Sequence, residues 1–215
     1  EDRLKNAAAE AGPEAIAIRC DVTDAASCDS AIAEAATALG GIDAVVYAPA
    51  VGVLRKIEEL DSETWHSVFD TNVVGAWQVA KAALPHLKES QGTIAFMTSV
   101  SASLTSPWPG LSSYIVTKAA LDKMVDAWRA EHPEVGFTRM IVGECVGGVG
   151  EGASQFTASW DGEAIGDMLQ LWMARGVLTD KLMDIDHFVD AVEGLLRVGA
   201  STSIPSIAIT PRRYF

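Results

Sequence analysis

Strand-like and helix-like segments alternate along this 215-residue chain, and that alternation predicts an α/β fold built as a doubly wound parallel sheet. Two further observations point the same way. Residues 42–47 form a near-continuous apolar run of the kind buried on both faces of a parallel sheet. A hydrophobic content of 49% over a chain of this length suits one sizeable core, so residues 1–215 read as a single domain.

The elements follow in order. Residues 1–11, rich in alanine and alternating charge, read as a helix. Residues 15–19 alternate isoleucine with alanine as a short strand, and Asp21-Val22-Thr23-Asp24 turns the chain into a helix that Gly40-Gly41 ends near Leu39. After strand 42–47, Asp61-Ser62-Glu63-Thr64 opens a long helix with Trp65, Val68, Phe69, Val73, Ala76 and Val79 at helical spacing. It runs to about Glu89, with Pro85 predicting a kink or break. Strand 93–98 places Ser99 at its carboxyl end, where ligands bind in open α/β sheets. A proline- and glycine-bearing loop over 103–113 leads into a helix over 112–131, followed by strand 137–142 and a glycine-rich loop over 143–152. Residues 153–176, carrying Trp160, Met168, Leu169, Trp172 and Met173, read as a mobile helical cover, so that 143–178 forms a substrate-loop region. An amphipathic helix over 184–197 and a last strand over 204–209 complete the pattern.

Charge and cysteine usage narrow the function. With 29 acidic against 16 basic residues the formal charge is -13, and no Lys/Arg stripe offers a footprint for nucleic acid. Cys20, Cys28 and Cys145 are odd in number and lack CxxC spacing, which argues against a disulfide framework or a zinc site and fits a reducing cytoplasm; no metal is expected. No apolar run reaches the length of a membrane span, and no secretory leader is visible.

The chemistry concentrates in Tyr114-Ile115-Val116-Thr117-Lys118. On a helix, residues four apart share a face, so the ammonium lies near the phenol, favours the phenolate, and lowers the tyrosine pKa toward a range useful for proton exchange. Such a pair also recurs on solvated helices with no role beyond packing. Ordered motifs alter that balance: Asp21-Val22-Thr23, Asn72-Val73-x-Gly75, and Gly92-Thr93-Ile94 leading to Ser99 all precede the Tyr/Lys pair. From Arg3 to Arg197 the sequence resembles the short-chain dehydrogenase/reductase family.

The resemblance implies a Rossmann-like fold and NAD or NADP as cofactor, with Asn72, Ser99, Tyr114 and Lys118 as the catalytic group. Tyr114 would be the acid/base. Lys118 would bind the nicotinamide ribose and lower the tyrosine pKa, Ser99 would bond the substrate oxygen, and Asn72 would hold a water in a proton relay. Ser101 is the rival to Ser99. A polar Asn72 breaking a helix to bond backbone, and Asp21 serving only as a helix cap, are the plain structural alternatives. Cofactor contacts are expected from Asp21, Val22, Ala48, Ala50, Tyr114, Lys118 and Gly147.

The chain also departs from that family. The glycine-rich strand-turn-helix that cradles pyrophosphate is absent ahead of residue 1, a βαβ unit on the order of 30 residues, and is expected to belong to the native protein. Tyr47-Ala48-Pro49-Ala50 stands where the family has Asn-Asn-Ala-Gly, and Cys145-Val146 stands where it has Pro-Gly. Cys145 reads as a small buried hydrophobe rather than a nucleophile. The leading expectation is hydride transfer between nicotinamide and a carbonyl or secondary alcohol, with an apolar or ring-shaped small-molecule substrate and assembly as a homodimer or homotetramer. The alternative is a non-catalytic scaffold or regulatory binding protein on the same fold.

Overall fold

The computed structural model describes residues 2–145, 156–157 and 160–212. Its sheet is parallel throughout, with strands β1 (Ala44–Tyr47), β2 (Thr93–Ser99), β3 (Gly136–Val142) and β4 (Ser206–Ile209) adjacent in chain order. Register runs Ala44↔Thr93, Thr93↔Gly136 and Arg139↔Ser206, so the strands' carboxyl ends lie at one edge.

Alternation along β2 sorts the two layers of the core. Ile94 and Phe96 face a cluster with Ala76, Ala80 and Leu87 of α4 (Gly75–Ser90), and with Leu121 and Val125 of α6 (Ser112–Glu131). Ala95 faces the other way, onto Met140 and onto Phe188, Val192 and Leu195 of α8 (Ile185–Leu196). Each buried aliphatic or aromatic side chain contributes roughly 1.5–3 kcal/mol by leaving water. α1 (Asp2–Ala11) has no buried residue, whereas α2 (Ala25–Leu39) inserts Cys28 and Ala31 beside α4. Asp24 caps α2 at its start through the Ala26 amide, and Gly40, at φ 77°, caps its end in the left-handed region where glycine costs least.

Three expectations are corrected. Residues 15–19 form no strand; Ile16 is 48% exposed, and no ladder partner lies beside the segment among the described residues. Pro85 does not break its helix, because α4 continues to Ser90 with Ala83 and Leu87 fully buried on either side. The long helix expected over 62–89 is two helices, α3 (Ser62–Phe69) and α4, joined by a π turn over Asp70–Val74. A short helix, α5 (Val100–Ser103), stands between Ser99 and the loop expected over 103–113. Within the expected cover, α7 (Gly162–Ala174) is capped by Asp161 through the amides of Glu163 and Ala164.

Candidate active site

The π turn positions Asn72. Its wider ring releases a main-chain carbonyl from the helix, and Thr71 O accepts from the Tyr47 hydroxyl at 2.7 Å. Asn72 is fully buried and spends its amide on protein: Nδ2 donates to Val51 O and Thr117 Oγ1, each at 2.9 Å, while Oδ1 accepts from Val51 N at 2.8 Å. The side chain therefore ties the loop after β1 to α6, the plain alternative for this residue. Gly75 is needed beside it, since a Cβ there would lie 2.9 Å from Tyr47 Oη, Val22 Cγ2 and Val22 O.

Ser99 ends β2 and Tyr114 and Lys118 face it from α6. Ser99 and Ser101 share a hydrogen bond of 2.8 Å, and the Ser99 hydroxyl is the one that acts on Tyr114. Lys118, 2% exposed, donates from Nζ to Met97 O at 2.6 Å and lies 5.6 Å from the centroid of the Tyr114 ring.

This arrangement reverses the expected shift of Tyr114. Burial pushes its hydroxyl up to about 12; the Ser99 hydroxyl pulls it down and Cys145 adds to the rise. Lys118 does not depress it, because the ammonium is turned to the Met97 carbonyl over the ring face. Burial lowers Lys118 itself to about 8, opposed by the negative charge of Asp122. Asp122 is 6% exposed; burial raises its carboxyl, while the hydroxyls of Thr98 and Ser103 and the Arg139 cation hold it down. Its Oδ1 is buried without a hydrogen bond.

Asp122 and Thr117 are site residues the motif reading passed over. Asp122 lies one turn beyond Lys118, so the i,i+4 spacing that singled out Tyr114 and Lys118 extends to it. Thr117 lies inside the motif, accepts from Asn72 and donates to Tyr114 O at 2.8 Å. Phe156 is a third, with its ring centroid 4.7 Å from that of Tyr114 and its edge 2.4 Å from where a Cβ on Gly52 would stand. Trp160 follows, donating to Gly52 O at 2.9 Å, and Trp172 donates to Pro109 O at 2.8 Å.

The expected cofactor contacts separate into two ends. Asp21 is exposed, with Oδ1 accepting from Thr23 N at 3.0 Å and Thr23 Oγ1 at 2.7 Å, contacts that lower its carboxyl pKa. Capping of α2 falls to Asp24. Val22 lies half-buried under this turn, and its carbonyl accepts from Gln78 Nε2 at 3.2 Å. Ala48 is exposed and Ala50 half-buried just past the carboxyl end of β1. Gly147 lies outside the described residues, as do 146 and 148–155. A dinucleotide fits this donor set at both ends. The exposed Asp21 carboxylate keeps acceptor capacity beyond Thr23, and the Lys118 ammonium has three donors against the single Met97 carbonyl. No glycine-rich phosphate cradle occurs among the described residues.

Among the described residues there is no group of three or more His, Cys, Asp or Glu placed to hold a metal ion, and no helix is long and apolar enough to cross a membrane.

Comparison with known proteins places this geometry. Residues 1–154 match the family pattern of the short chain dehydrogenases. The chain is 32% identical over 126 residues to oxidoreductase UcpA of Salmonella typhimurium, covering 58% of this chain and 48% of that protein. It is 35% identical over 140 residues to the 2,5-dichloro-2,5-cyclohexadiene-1,4-diol dehydrogenase LinX of Sphingobium indicum, covering 63% and 55% of the two. The chain thus spans about half the length of these relatives. Among solved structures, a 3-ketoacyl-(acyl-carrier-protein) reductase from Brucella melitensis complexed with NADH superposes with a TM-score of 0.76 at 20% identity, over 96% of this chain and 81% of the other. A short-chain type dehydrogenase/reductase from Mycobacterium marinum gives 0.77 at 21%, over 96% and 78%. Those two share the parallel layered fold, and the family pattern covers well over half of the residues here: the chain belongs to the short chain dehydrogenase family.

Proposed function

We propose that the protein is an NAD(P)-dependent oxidoreductase that interconverts a carbonyl compound and its secondary alcohol, with Tyr114 as the acid/base. The observation that carries this reading is the convergence of Ser99, Tyr114 and Lys118 at the carboxyl end of β2, two of them nearly sealed from solvent and all three polar. Bound there, the nicotinamide supplies or accepts the hydride. Tyr114, held protonated by burial, gives its proton to the carbonyl oxygen, and Ser99 donates to the same oxygen as charge develops on it. Lys118 holds ribose hydroxyls with the donors Met97 leaves unused, Asp21 and Val22 take the adenine end, and Ala48 and Ala50 line the path between. Asn72 fixes the loop at Val51 against α6 and so keeps that path in register with Tyr114.

The rings of Phe156, Trp160, Trp172 and Trp108 form a continuous run of contacts above Tyr114, with centroids 5.1 Å, 6.4 Å and 5.2 Å apart in turn. They support an apolar, ring-bearing small-molecule substrate. Trp77 and Val116, 42% and 43% exposed on α4 and α6, support assembly of copies through those helices, as a homodimer or homotetramer. The three free cysteines fit a reducing cytoplasm.

A second reading keeps the fold without turnover. It is favoured by the position of Phe156 against Tyr114 and by the ammonium of Lys118 being turned toward Met97. Titration of NADH or NADPH fluorescence, with turnover of a panel of ring-bearing carbonyls, decides between them. The enzyme reading expects nucleotide binding in wild type and in Tyr114→Phe, with turnover lost by about 10²–10⁴-fold in the variant. Binding without turnover of any carbonyl or alcohol would favour the second reading.

A further inference from the structure

Tyr47 is the last residue of β1 and stands in register with Phe96 of β2, the strand that ends at Ser99. Its ring is buried in the core with its centroid 6.2 Å from that of Phe96, and its hydroxyl reaches the π turn, donating to Thr71 O at 2.7 Å. The carbonyl it holds belongs to the peptide that leads into Asn72. From Asn72 the bonds run on in one direction. Asn72 Oδ1 accepts from Val51 N, which fixes the amide so that Nδ2 turns its two hydrogens to Val51 O and Thr117 Oγ1. The Thr117 hydroxyl has one proton and gives it to Tyr114 O at 2.8 Å. Tyr47, Asn72 and Thr117 are all buried, and the polar atoms of all three side chains are hydrogen-bonded.

The site is assembled from two bodies. Ser99 ends a strand of the sheet, whereas Tyr114 and Lys118 belong to α6. Proton transfer to an oxygen held by Ser99 depends on how these bodies are set against each other, since a misplacement of about 1 Å can cost on the order of 10²-fold in rate. We propose that Tyr47 is a positioning residue, the sheet end of a hydrogen-bonded strut that runs through Thr71, Asn72 and Thr117 and sets Tyr114 on α6 against Ser99 on β2; its effect on turnover rests on the dehydrogenase reading above.

The sheet end of the strut is particular to this chain, in which Tyr47 stands where the family has asparagine. The hydroxyl has a fitted place, because a methyl on Gly75 would lie 2.9 Å from Tyr47 Oη. Burial pushes the Tyr47 phenol well above its ordinary range, so it remains a donor at every pH at which turnover is measured. Phenylalanine at this position keeps the ring and its contact with Phe96 and removes only the donor. Thr71 O then loses the bond that ties the π turn to β1, and Asn72 and Thr117 hold α6 to a turn no longer fixed to the sheet by Tyr47.

The test compares the full-length protein with Tyr47→Phe, Thr117→Val and the double variant. In carbonyl reduction each single variant should lower kcat by about tenfold while the Kd for NADH or NADPH changes by less than about twofold. The double variant should lose no more than a single one, because both substitutions cut the same strut. Unchanged kcat in Tyr47→Phe, or losses that multiply in the double variant, overturns the proposal, and a lowered melting temperature alone leaves the hydroxyl a packing role only. Should Tyr47→Phe fail to fold, Thr117→Val carries the same expectation, and unchanged kcat there overturns the strut. A second readout does not need turnover. The chain has three tyrosines, so with isotope at ring carbon Cζ the Tyr114 resonance is identified by its loss in Tyr114→Phe. It should move on Tyr47→Phe, and adding Tyr47→Phe to Thr117→Val should move it no further. A Tyr114 resonance that stays put in Tyr47→Phe overturns the strut, whereas one that moves in a protein without turnover upholds the strut and removes the dehydrogenase reading.

Discussion

Lys118 is an ammonium held 2% exposed by one main-chain acceptor, and its burial governs both chemistry and stability. Burial in the native protein lowers its pKa to about 8, against 10.5 for a lysine in water. Between those values the unfolded chain binds the extra proton, so stability rises with pH across that window, and below it the charged side chain costs the fold on the order of 3 kcal/mol. Lys118→Met should therefore raise the unfolding midpoint at pH 7, an advantage that shrinks as the pH is taken from about 8 to 10.5. Thermal melts of both proteins across that range provide the check. Activity should move in the opposite sense. If the ammonium holds the ribose, kcat/KM for carbonyl reduction stays level at neutral pH and falls as Lys118 loses its proton above about 8. Tyr114, held protonated up to about 12, adds no limb of its own below that. Replacing Asp122 by Asn removes the negative charge that opposes this loss, and the falling limb should shift to lower pH.

The π turn over Asp70–Val74 shows how one extra residue in a helix serves a site. It turns Asn72 inward to the Val51 main chain and frees Thr71 O for Tyr47. Asn72→Ala removes three hydrogen bonds made by a fully buried side chain, two with the Val51 main chain and one with Thr117, and urea unfolding should register a loss of about 2–4 kcal/mol. Gly52 offers a second local test. A methyl there would meet the tip of the Phe156 ring, so Gly52→Ala should push that ring off Tyr114, shift the emission of the neighbouring Trp160, and change KM more than kcat. The turn was not legible in the sequence: Trp65, Val68, Phe69, Val73, Ala76 and Val79 keep a helical period through it, and apolar spacing does not register a one-residue widening. The caps at Asp24 and Asp61 were legible, since a short acidic side chain ahead of an apolar period satisfies the first free amides. Pro85 misled because its local cost is outweighed by the buried neighbours on both sides. The 15–19 segment misled because alternation reports a strand's two faces and not whether a partner strand stands beside it.

Across the molecule, the parallel architecture was readable from alternation alone, and the order β1-β2-β3-β4 follows chain order as short crossovers favour. That Tyr114 and Lys118 share one face of α6 was readable from their i,i+4 spacing; the direction of the Tyr114 shift was not, because it depends on how completely the surrounding layers exclude water. With 29 acidic residues against 16 basic, the folded molecule repels itself, and moderate sodium chloride should raise its melting temperature by about 2–5 °C through screening. A scanning calorimetry series in salt at neutral pH measures it.

The register of the sheet also dictates an order of events in time. Ala44 meets Thr93, Thr93 meets Gly136 and Arg139 meets Ser206, so every rung joins residues roughly forty or more positions apart, and no hairpin is available to start the sheet. Helices form within about a microsecond, while each strand pair must wait for its whole crossover to close. Refolding from urea should accordingly show early helical signal and late burial of Phe96 and Phe137, leaving unpaired strands in solution for most of the folding time.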